Sequence, residues 1–159
     1  MKKILVILLV AFVIIQFFRI DKTNPEPTPQ LDFLAIKNTP ESTAKLIRTG
    51  CYDCHSNEAR YPWYSNVQPV AWFLQSHIEE ARKNLNFSTF ATYESKRQAN
   101  KLSKAADEIS QGEMPLDSYV LGHPDAKFTE AQKIEVTKYL NLVESDIRRE
   151  NNLPAEIKK

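Results

Sequence analysis

Cys51-Tyr52-Asp53-Cys54-His55 is the stretch on which the reading of this 159-residue chain turns. Its spacing, C-x-x-C-H, is the attachment signature of c-type haem. Two cysteines three residues apart on a helical turn project to one side, so both thiols reach the two vinyl groups of a single porphyrin. The histidine that follows brings its imidazole beneath the iron as the proximal ligand. The chain has no other cysteine. A zinc site would need a second Cys or His pair at ligand spacing, and none exists. A thioredoxin-like redox pair would need an adjoining βαβ pattern, whereas the surroundings read helical. One haem c, held covalently by Cys51 and Cys54 with His55 on the iron, is the expected cofactor.

Upstream of the motif, Thr39 is placed to cap a helix whose first position is Pro40. Ala44, Leu46 and Ile47 supply its apolar face, and Gly50 is read as its end. Prolines 25, 27 and 29 make residues 21–37 a linker, extended at ~3 Å per residue. Within it Leu31, Phe33, Leu34 and Ile36 are too apolar for free chain and are expected to lie against the domain. Residues 1–20 carry Lys2 and Lys3 ahead of an apolar run from Ile4 to Phe18, closed by Arg19. Basic residues before an apolar core make an export signal with its N-terminus left in the cytoplasm. The run is shorter than the roughly 20 residues of an ideal span, although Lys3 and Arg19 can snorkel. No small-x-small cleavage site follows it. The expectation is an uncleaved single-pass transmembrane helix in a bacterial inner membrane, with the domain in the periplasm. The alternative is a soluble periplasmic protein after signal cleavage.

Downstream, residues 56–66 read as a loop in which Arg60, Tyr61 and Trp63 are candidate haem contacts, Arg60 or Tyr61 bonding a propionate. From Pro69 to about Asn84 the spacing predicts a helix whose inward stripe is Val70, Phe73, Leu74, His77, Ile78 and Ala81. Phe73 and His77 are therefore candidate haem contacts, and His77 a rival axial ligand. A second amphipathic helix runs from about Lys96 to Gln111, with Gly112 suited to the left-handed position after it. Met114, the only methionine besides the initiator, follows in Glu113-Met114-Pro115; its thioether is a soft ligand suited to haem iron, and otherwise a flexible packing residue. Residues 116–128 read as irregular. Thr129-Glu130-Ala131-Gln132 is a capping box opening a last helix to about Arg149, expected to cross the first. The domain is thus set at 38–150, and residues 151–159 as a frayed polar tail.

With 21 basic and 20 acidic residues, nothing points to nucleic acid as a partner. The three glycines fall outside any phosphate-loop or dinucleotide pattern.

In combination, Cys51 to Glu58, Tyr61-Pro62-Trp63-Tyr64, Pro69-Val70, Leu85-Asn86-Phe87-Ser88 and Gly112-Glu113-Met114-Pro115 resemble the bacterial haem-binding domain family. Its members are small exported or membrane-anchored proteins of cytochrome c type. The resemblance covers roughly Pro40 to Tyr139 and implies haem c on Cys51, Cys54 and His55, with Met114 the matching candidate on the far side of the iron. The expected fold is an all-α, cytochrome c-like domain wrapped around its haem. The expected role is single-electron transfer with redox proteins at the membrane, an electron carrier rather than a catalyst. The rivals are a peroxidase-like haem enzyme and a haem-based sensor or structural module, both needing a labile sixth position.

Overall fold

The helix that leads into the C-x-x-C-H motif does not stop at Gly50. In the computed structural model of the protein, described over residues 1–155, α3 (Glu41–Ile47) continues through a π-helical segment, Arg48–Tyr52, into α4 (Asp53–His55). The motif therefore rides on a helical run from Glu41 to His55. Pro40 rather than Thr39 stands at its N-cap, and the Thr39 hydroxyl lies 2.8 Å from that of Tyr139 instead. π-helical turns concentrate at functional sites, where the extra residue re-aims the side chains that follow.

The other elements are α1 (Lys2–Ile15), α2 (Phe33–Ile36), α5 (Val70–Asn84), α6 (Ser95–Gln111), α7 (Asp117–Gly122) and α8 (Glu130–Glu150), joined by short 3-10 turns. No strand occurs among the described residues, and the protein is all-α. Thr129 and Gln132 form the capping box at the start of α8 as the sequence predicts. Gly112 closes α6 at φ +79°, also as expected. The stretch read as irregular instead forms α7 and a 3-10 turn over Pro124–Ala126. Of the polar tail, residues 156–159 lie outside the described residues.

The core is built where α6 lies along α8, with α3 against α8 and α2 against the 3-10 turn Phe87–Thr92. Leu102, Ala106 and Ile109 of α6 meet Val136, Leu140 and Ile147 of α8 there, all buried. Phe33 is fully buried at the centre, its ring 5.3 Å from Phe87 and 5.0 Å from Phe90. Asp32 caps α2, accepting from Leu34 N, and also accepts the Tyr52 hydroxyl at 3.0 Å. Phe33 and Leu34 thus join the core and Ile36 packs against it, as their apolar character predicts.

Two expectations upstream are corrected. The prolines of the segment read as linker do not hold it off as a stalk. Asn24 donates to the Ala59 carbonyl at 2.7 Å and accepts from Arg82 at 2.7 Å, and Lys22 donates to Asn66. The helix expected to cross a membrane ends at Ile15, and among the described residues no helix is long and apolar enough for that. At 1.5 Å per residue its fourteen residues span about 21 Å, against a hydrocarbon core of about 30 Å. It ends where Gln16 turns to the domain: Gln16 and Gln68 exchange two hydrogen bonds, 3.2 and 2.9 Å.

Candidate cofactor site

α4 packs on α5, α6 packs on α8, and between these pairs lies a cavity of about 360 Å³. Its walls are largely apolar, with Ile47, Leu85, Phe87, Ile109, Phe128 and Leu140 among them. Cys51, Cys54 and His55 all open onto it, as do His77 of α5 and Met114 of the loop after α6. The size falls in the range usual for small-molecule and cofactor sites.

His55 is oriented by the segment after α5. That helix ends at Asn84, and Leu85 turns to extended backbone, which frees its carbonyl from the helical ladder. The His55 Nδ1–H donates to this carbonyl at 2.9 Å. A ring nitrogen fixed in this way leaves Nε2 unprotonated and aimed, the usual arrangement for a histidine that ligates a metal. Burial pushes the imidazole below its ordinary pKa, which favours the same neutral form. The Phe87 ring meets the imidazole edge-on at 6.4 Å.

The two residues inside the motif fasten it to the fold. Tyr52 stacks on Phe87, centroids 5.4 Å apart, while its hydroxyl reaches Asp32. Buried Asp53 accepts from Arg60 Nε at 3.0 Å and from the Tyr119 hydroxyl at 2.8 Å. Beyond the motif, Asn57 N donates to Ser88 Oγ and Asn86 Nδ2 donates to Asn57 Oδ1. The Leu85-Asn86-Phe87-Ser88 segment is thereby clamped against residues 56–57, and it supplies both the carbonyl and the ring that hold His55. No periodicity or charge in the sequence marks that carbonyl as a partner; only the recurrence of this segment in the family resemblance points to it.

Both thiols are buried enough that desolvation raises them, Cys51 to about 12 and Cys54 to about 11. A thioredoxin-like pair needs the opposite shift, toward a reactive thiolate near neutral pH. Among the described residues no three His, Cys, Asp or Glu side chains are gathered to hold a metal ion by themselves. One aimed imidazole on an apolar cavity is instead what a porphyrin iron requires, and the two thiols lie on the same cavity.

The chain matches the haem-binding domain family over residues 10–142. It belongs to that family. No curated protein and no solved structure matches it significantly. Haem is accordingly the cofactor of this domain, and the residues lining the cavity fit it.

The haem-binding domain distributes the other candidate contacts unevenly. His77 faces the cavity, with Nδ1 2.8 Å from the Phe73 carbonyl and its ring 4.0 Å from that of Phe73. Phe73 itself is 55 % exposed and is not among the cavity's lining residues. Arg60, Tyr61 and Trp63 lie elsewhere. Arg60 turns to Asp53, and together with Tyr61 it borders a separate polar hollow shared with Lys45, His123 and Asp125. Trp63 is 78 % exposed and starts a run of neighbouring rings through Tyr64 and His123 to Tyr119. Of these four, Tyr119 is the one that lines the haem cavity. No local pattern marks it, because its partner Asp53 lies 66 residues away.

Proposed function

We propose that this haem-binding protein carries a single covalently attached haem c and passes single electrons on the outer side of a bacterial inner membrane. The observation that carries the reading is the His55–Leu85 hydrogen bond, which aims Nε2 from the same helical run that presents Cys51 and Cys54 to the cavity. When bound, haem supplies one-electron exchange between ferric and ferrous iron. Cys51 and Cys54 would hold the cofactor through its two vinyl groups, each S–H adding across one C=C bond with no change of oxidation state. The neutral His55 imidazole would hold the iron, and the largely apolar walls would limit water around it.

Met114 is the proposed sixth ligand. It is half-buried, it opens onto the cavity, and Gly112 at φ +79° turns the chain toward it. A thioether raises the haem potential relative to a second nitrogen, in keeping with an electron carrier.

The basic start and apolar run at the N-terminus support export. α1 has no buried residue, so the domain leaves its apolar sides uncovered. Retained, this helix keeps the protein at the membrane, beside membrane-bound redox partners. Intact-mass measurement of protein made with the haem-attachment machinery tests the reading. A mass raised by one haem, with both cysteines closed to alkylation, is expected. An unmodified chain with two alkylatable cysteines would overturn it.

A further inference from the structure

The cavity wall carries two lysines, Lys101 and Lys104, both on α6. Neither belongs to the motif, and the site so far gives them no role. Lys101 is half-buried and makes no side-chain hydrogen bond or ion pair among the described residues. Its ammonium sits between like charges on the same helix, Arg97 four residues before and Lys104 three after. Burial first, and then both of these cations, push its pKa down. Lys104 is 68 % exposed and reaches Glu108 only at 4.0 Å. A partly desolvated ammonium beside two cations is unfavourable unless an anion joins it.

Haem brings such an anion. Its two propionates stand on the porphyrin edge away from the vinyl groups. The cysteines that take the vinyls belong to the helical run from α3 into α4, and Lys101 belongs to α6, on the other helix pair bordering the cavity. We infer that the Lys101 ammonium receives a haem propionate, with Lys104 beside it, so that α6 supplies the carboxylate end of the cofactor site. This replaces Arg60 and Tyr61 in that role, since Arg60 is engaged by Asp53. The inference rests on the haem reading above and deepens it.

The test is the haem midpoint potential followed against pH by spectroelectrochemistry. Loss of a propionate proton stabilises ferric iron, so the potential falls across the propionate pKa. An opposite charge within reach lowers a carboxyl pKa by roughly 1–3 units. In Lys101→Gln that step is expected to move up by about 1–3 pH units, while Lys101→Arg keeps it near its wild-type position. Lys104→Gln, at a more exposed position, is expected to move it by less. The other titratable groups on the cavity, His55, His77, Glu80, Glu108 and Tyr119, are common to every protein compared, so the difference isolates the lysine. A step at the same pH in wild type and Lys101→Gln, with haem bound in both, would overturn the lysine assignment alone. A wild-type protein that shows no haem spectrum would overturn the haem reading and this inference together.

Discussion

Gly50 sits one residue before the first cysteine of the motif, and its missing side chain is what lets the domain close over the motif. A Cβ there would stand 2.5 Å from Cζ of Phe128 and 3.2 Å from Cγ of Pro115. Phe128 is buried and lines the cavity, so it has little room to retreat. Gly50→Ala should destabilise the protein by about 1–3 kcal/mol, as overpacking does, read as a lowered urea midpoint. Adding Phe128→Leu, which removes Cζ, should recover part of the loss. An unchanged midpoint for Gly50→Ala would show that the close approach does not govern stability. Its neighbours in the chain make Gly50 look like a helix stop, whereas the contact that requires glycine comes from Phe128, 78 residues further on. Gly112 was legible because its demand is local: the backbone itself turns left-handed after α6. That Cys51, Cys54 and His55 share one cavity could be read for the same reason, since they lie within five consecutive residues.

Among the elements, α5 shows where periodicity misleads. Its apolar spacing marks an inward stripe, but Ala71 and Ile78 are the residues it buries, while Val70 and Phe73 are 45 % and 55 % exposed. Of the rest of the stripe, His77 and Ala81 turn to the cavity, whereas Leu74 does not line it. A face that awaits a cofactor and one that packs on protein have the same apolar signature. Consequently two elements bring a candidate sixth ligand to the cavity: α5 through His77 and the loop after α6 through Met114. His77 already holds the Phe73 carbonyl within its own helix, whereas the Met114 thioether is the softer donor, suited to ferrous iron. Met114→Ala should lower the haem potential and remove the weak red charge-transfer band of sulfur on ferric iron, and His77→Ala should spare that band. A bis-histidine spectrum that His77→Ala destroys would assign the ligand to α5 instead.

At the scale of the whole molecule, the helices enclose less protein core than their number suggests, because the cavity occupies the space between α4–α5 and α6–α8. Leaving about 360 Å³ of largely apolar space without a partner costs on the order of several kcal/mol, comparable with the net stability of about 5–15 kcal/mol typical of a domain. The all-helical class could be read from periodicity and caps. The split into two helix pairs around a cavity could not, since it depends on contacts such as Arg148 with Asn100, 48 residues apart, and Arg82 with the Ser56 carbonyl, 26 apart. A chain without covalent haem, made with Cys51→Ser and Cys54→Ser, should therefore lose much of its helicity in circular dichroism. The most direct measurement is acid–acetone extraction of the wild-type protein, matured with haem, followed by a pyridine haemochrome spectrum of the precipitate. Colour that stays with the protein and gives a c-type spectrum is the expected result; haem that passes into the acetone and leaves a colourless chain would contradict covalent attachment at Cys51 and Cys54.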